Sequence, residues 1–165
     1  MTSSFTPSGG LAITSDDLLV VLADLWEATF GCTIAETDQP LDPATGWWAA
    51  VDLLDDEGVV AEVVMAVDEP ALAAVARVTF GVDRPEPDQM TDVAAEAANI
   101  MGGNVKGILS MRTRLSWPRA GRGPAPLGSR PRTSVYAIDD RGRRMEAHVV
   151  DTGAGVDTGS SRNEK

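Results

Sequence analysis

Asp92, Glu96, Asn99, Gly103 and Lys106 recur at intervals of four, three, four and three residues. At about 100° of rotation per residue, that spacing places all five on one exposed ridge of an α-helix. Glu96 and Asn99 then stand one turn apart. A carboxylate pairs with cations, and a carboxamide both donates and accepts hydrogen bonds. Ala95, Ala98, Gly102 and Gly107 border the ridge, so its profile is low and the two polar side chains project toward any surface that comes near. Adjacent glycines inside a helix each cost roughly 1 kcal/mol relative to alanine, and close approach of a second surface would offset that cost. The other reading is that the glycines end the helix near Met101. Asn104 would then be a C-terminal or loop residue, and Glu96 and Asn99 would be ordinary solvated side chains.

The helix that carries the ridge is expected to start at Asp88 as N-cap and to bury Met90, Val93, Ala97, Ile100, Met101, Asn104 and Ile108. On that projection Asn104 has a structural role, a hydrogen bond to neighbouring backbone. An earlier helix is expected from Ser15 as cap through Leu18, Leu22, Leu25, Trp26 and Thr29 to a stop at Gly31, and a short one from Pro70 to Phe80, ended by Gly81. Two hairpins are expected: Trp47 to Leu54 with Val59 to Val67, turning at Asp55-Asp56-Glu57-Gly58, and Thr133 to Ile138 with Arg143 to Val150, turning at Asp139-Asp140-Arg141-Gly142. A short strand near Thr113 to Trp117 precedes a Pro/Gly-rich loop. The order αββααβββ implies an α+β layered domain over residues 13–150, a mainly antiparallel sheet with two long helices. Residues 1–12 and 151–165 read as disordered tails.

Composition narrows the function classes. The net charge of −11 divides unevenly: residues 1–100 carry 19 acidic and 2 basic side chains, residues 101–165 carry 12 basic and 6 acidic. Most of the chain would repel phosphate backbones, so nucleic acid is an unsuitable partner. Arg112, Arg114, Arg119, Arg122, Arg130 and Arg132 read as a solvated loop that neutralises the acidic half. One cysteine, Cys32, forbids an internal disulfide, and one histidine, His148, with no evident partner, leaves too few soft ligands for a zinc site, so no metal of its own is expected. No leader or membrane-spanning pattern is present, and a cytoplasmic location is expected. Asp151-Thr-Gly and Asp157-Thr-Gly mimic protease triplets, but they lie six residues apart in a Gly/Ser-rich tail, where no dyad can be built.

The run Asp92-Val-Ala-Ala-Glu96-Ala-Ala-Asn99-Ile-Met-Gly-Gly-Asn104-Val-Lys106 resembles the signature helix of the CheC/CheX/FliY phosphatases of bacterial chemotaxis, most closely that of CheX. Pro118 resembles the proline after the next strand in that family, though it comes earlier than the longest form of the motif places it. Trp26-Glu27-Ala28-Thr29-Phe30-Gly31 is similar to the family's other long helix. There Glu27 is followed three residues later by Phe30, so a second Glu/Asn pair is absent, as in CheX-like members. The resemblance implies hydrolysis of the aspartyl phosphate on a CheY-type response-regulator receiver domain. Asn99 would orient the attacking water and Glu96 would pair with the receiver's lysine. Asp92, Gly103 and Lys106 would complete the contact. It further implies a homodimer joined through sheet edges and no cofactor beyond the Mg²⁺ of the receiver itself. The alternative is a noncatalytic module of the same kind that binds a receiver or dimerises.

Overall fold

The computed structural model describes residues 12–110 and 112–152. Most of the two expected tails, residues 1–11 and 153–165, lies outside the described residues. The chain runs α1 (Ser15–Phe30), β1 (Ile34–Glu36), β2 (Gly46–Leu54), β3 (Val59–Asp68), α2 (Glu69–Phe80), α3 (Pro87–Leu109), β4 (Arg114–Leu115), β5 (Arg119–Arg122), β6 (Arg132–Asp139) and β7 (Arg144–Asp151). The helix and strand types match the α+β expectation, with β1 and β5 as two short additions.

Local chemistry sets the helix ends. The cap of α1 is Thr14, one residue before the expected Ser15: its hydroxyl accepts from the Asp17 N–H at 3.1 Å while Asp17 accepts from the Thr14 N–H at 2.8 Å. Gly31 and Gly81 both close their helices at φ 65°, in the left-handed region. α3 begins two residues earlier than expected, with Glu86 rather than Asp88 as N-cap and Pro87 in its first turn; the Gln89 carboxamide accepts from the Glu86 N–H at 2.9 Å.

All strand pairs are antiparallel. The order is β1-β6-β7-β3-β2, and β4 and β5 lie one after the other along the outer edge of β2. Alternation then sorts the faces. Ala49, Val51 and Leu53 of β2, Val63 and Met65 of β3 and Ala147 and Val149 of β7 join Leu18, Leu22, Trp26, Leu72, Met101 and Val105 in one core beneath the three helices. The opposite face buries Ala50, Val64 and Val150 under Ala125 and Leu127.

The Arg-rich segment is therefore more than a solvated loop, because it straps the back of the sheet. Arg119 pairs with Asp52 at 2.9 Å and Glu62 at 2.6 Å, Arg130 with Glu62 at 3.1 Å and Arg122 with Glu69 at 2.8 Å. These arginines do neutralise the acidic half, from fixed positions. β5 inside the segment carries no apolar alternation. Its Gly121 lies beneath Trp48, whose ring atoms sit 2.9 Å from where a Cβ would stand. His148 has partners after all: it is buried between Ser134 Oγ at 2.8 Å and Glu146 at 3.0 Å. Strand register supplies both, Ser134 opposite on β6 and Glu146 two residues back on β7.

Candidate functional site

α3 runs unbroken through Gly102 and Gly103 to Leu109, so the glycines do not end it. Its buried residues are Met90, Val93, Ala94, Ala98, Met101, Gly102 and Val105. The core stripe is thus turned from the expected one: Ala97 is half-buried, while Ile100, Asn104 and Ile108 are exposed. Asn104 has no buried structural role.

Gly102 explains the rotation. A Cβ there would stand 2.5 Å from a methyl of fully buried Val51 and 3.2 Å from Leu115, so the helix backbone rests directly on the sheet. The close approach inferred for the glycines is real at Gly102, but the second surface is the protein's own β2 and β4. Gly103 and Gly107 differ, since nothing lies within 4 Å of a Cβ at either. Opposite effects of alanine follow. Gly102→Ala should lower stability in urea by about 1–2 kcal/mol, overpacking prevailing over helix propensity. Gly103→Ala should raise it by about 0.5–1 kcal/mol. Equal shifts of one sign would contradict this packing.

The ridge itself lies as the spacing requires. Asp92, Glu96 and Gly103 are exposed, and Asn99 and Lys106 are half-buried. Among the described residues, no hydrogen bond or ion pair engages the side chains of Asp92, Glu96, Asn99 or Lys106. Four polar side chains and Gly103 thus share one face, and none of the four is engaged by another described residue. The acids lie toward the N-terminal half of α3 and the cation in its last turn, which suits the helix dipole.

The sequence reading missed two apolar features, one beside the ridge and one at the edge of the sheet. Beside the ridge lies a groove of about 300 Å³ between α1, α2 and α3. At the sheet edge, the register along β2 shifts by one residue between β4 and β5, so that Trp117 and Pro118 together oppose Val51. Val51 is the residue beneath Gly102, and the Trp117 side chain beside this seam is 92% exposed. A tryptophan outside every apolar pattern, next to a proline, was the available sign of it.

Cys32, Asp139 and Asp140 place ligand-type atoms within 4.8 Å of one another. Both oxygens of Asp139 are already committed, to Trp26 Nε1, the Arg143 guanidinium and the N–H groups of Arg141 and Arg143, so this cluster is a structural knot away from the ridge.

The arrangement of helices and sheet has close counterparts. CheX from Desulfovibrio desulfuricans superposes with a TM-score of 0.63 at 12% identity, over 83% of this chain and 98% of that one. The fold is that of the CheX proteins. A chain of the CheX–CheY–BeF3–Mg²⁺ complex from Borrelia burgdorferi gives a TM-score of 0.62 at 12% identity, covering 82% of this chain and 95% of its own. The CheX-like fold extends further: the middle domain of FliM from H. pylori matches with a TM-score of 0.57 at 8% identity, over 82% of this chain and 86% of that one. No protein-family profile and no curated protein sequence matches the chain. At these identities the likeness is one of fold, and the ridge must carry the argument about chemistry.

Proposed function

We propose that this chain is a phosphatase for the aspartyl phosphate of a CheY-type response-regulator receiver domain. The observation that carries the reading is the unspent Glu96/Asn99 pair on the exposed face of α3, in a CheX-like fold. An acyl phosphate already has a carboxylate leaving group, and the receiver supplies its own Mg²⁺ and lysine. What is missing is a water held in line with phosphorus. Water attacks, the new P–O bond forms as the P–O bond to the aspartyl carboxyl breaks, and inorganic phosphate and free carboxylate result. Asn99 suits the positioning of that water because it donates and accepts without ionising, and its half-buried seat restricts its motion. The more exposed Glu96 pairs with the receiver's lysine and sets the docking register. Asp92, Gly103 and Lys106 border the contact, with Gly103 leaving room for the partner's backbone.

The deciding experiment adds the protein to a receiver phosphorylated with acetyl phosphate and follows both phosphate release and complex formation. Faster release supports the reading. A complex without faster release overturns it in favour of a noncatalytic receiver-binding module.

A homodimer joined at a sheet edge, in the cytoplasm, belongs to the same reading. β1 covers β6 only from Ala137 to Asp139, and among the described residues no strand pairs with residues 132–135 on that side. Among the described residues, no helix is long and apolar enough to cross a membrane. Sedimentation should give a two-chain species at micromolar concentration, and a single-chain mass would overturn the dimer.

A further inference from the structure

The ridge has one weakness as a docking surface. Exposed ion pairs contribute little net affinity, and interfaces draw most of theirs from a few apolar or aromatic anchors seated in pockets. The groove beside it supplies such a pocket. Leu25 of α1, Val75 and Phe80 of α2 and Ala97 and Ile100 of α3 line a space of about 300 Å³, and Asp92 and Glu96 stand at its lip. That volume is at the small end of ligand-sized pockets and suits one large side chain. No lysine or arginine lines it. At its rim Ile100 is 42% and Phe80 40% exposed, apolar surface left in water beside the candidate site.

We propose that this groove is the anchor site for the receiver partner, taking one large apolar side chain whose neighbouring lysine or arginine pairs with Asp92. The proposal rests on the receiver reading above and adds where affinity comes from. Continuity supports it: Glu96 belongs both to the polar ridge and to the groove, so a partner that engages Glu96 covers the mouth of the groove. Charge supports it as well, because both ionisable groups at the lip are acidic. Asn99 and the groove then divide the work, one acting on the reacting atoms and the other on residence of the partner.

The test measures steady-state hydrolysis of the phosphorylated receiver and binding of the same receiver loaded with beryllofluoride and Mg²⁺. Ile100→Ala and Phe80→Ala remove half-exposed side chains, and their thermal melts report whether folding is intact. Each should raise KM and Kd about five- to tenfold with kcat retained. Val78→Ala, on α2 and 61% exposed but outside the groove, should change neither. Unaltered KM and Kd in both groove variants, with the wild type active, would overturn the anchor while leaving the phosphatase reading intact. Conversion of a wild-type dimer to monomer by these variants would assign the groove to a second copy, for example to its exposed Trp117, and would also overturn the proposal. A wild type that neither binds nor dephosphorylates receivers removes the receiver reading itself, and the anchor with it.

Discussion

Asn99→Ala should reduce turnover of the receiver's aspartyl phosphate by about a hundredfold or more, while affinity for the beryllofluoride-loaded receiver stays within about twofold. The asymmetry follows from what Asn99 is asked to do. In the proposed role its carboxamide would orient a water that is loosely held until the transition state, so its loss would act on kcat and barely on docking. Glu96→Ala should act in reverse, because the proposed pair with the receiver's lysine would form in the docked complex before reaction, so Kd and KM rise first. Asn99→Asp is a sharper probe still. It is nearly isosteric but replaces the donor with a second negative charge facing a phosphoryl group, and should be no better than alanine. Unchanged phosphate release with Asn99→Ala would end the catalytic assignment, whatever the fold.

The placement of this site was legible in the sequence because of a periodicity argument that needs no knowledge of the core. Intervals of four, three, four and three put Asp92, Glu96, Asn99, Gly103 and Lys106 on one stripe whichever face of α3 is buried. The phase of the opposite stripe was less legible. Giving the core to the largest apolar side chains assigned it Ile100 and Ile108, yet both are exposed. The buried side combines Met90, Val93 and Met101 with Ala94, Ala98, Gly102 and Val105, and small residues are required where the helix backbone comes closest to β2, at Gly102 over Val51. The two isoleucines are displaced to the flanks, and Ile100 thereby becomes a wall of the groove. A stripe of alanine and glycine with β-branched residues beside it was the sign of close helix–sheet packing.

The strands show the same division. β2, β3, β6 and β7 carry enough alternation and turn chemistry to be read directly. β5 does not, because Arg-Ala-Gly-Arg is selected by its neighbours: Gly121 by the ring of Trp48, and Arg119 by Asp52 and Glu62 across the sheet. Contacts 57 and 67 residues apart in the chain leave no local pattern. His148 is the same case, since its partner Ser134 is fixed by register and not by spacing.

Asp139→Ala should cost about 3–5 kcal/mol in urea unfolding at pH 7, the range for removing one member of a buried, hydrogen-bonded ion pair. Asp139 ends β6, and its carboxylate is fully buried. It accepts from Trp26 Nε1 at 2.9 Å, from the N–H groups of Arg141 and Arg143 at 2.9 Å each, and from the Arg143 guanidinium, which also lies 4.4 Å from the centre of the Phe30 ring. One side chain thus ties α1 to the β6–β7 turn, and α1 supplies the Leu25 wall of the groove. Burial pushes the Asp139 carboxyl up, but the bonds from Trp26, from the Arg143 backbone and side chain and from the Arg141 backbone together prevail and hold it below the usual carboxylate range. A carboxyl more acidic in the folded than in the unfolded chain stabilises fully above its unfolded value of about 4, and that contribution fades as pH falls through the lower folded value. Wild-type stability should therefore decline in acid, and Asp139→Asn, which cannot ionise, should be less stable at pH 7 and show a smaller further loss between about pH 4 and pH 2. Parallel declines of wild type and variant across that window would mean that Asp139 does not contribute its charge to the fold, and that α1 is held by Trp26 and the apolar core alone.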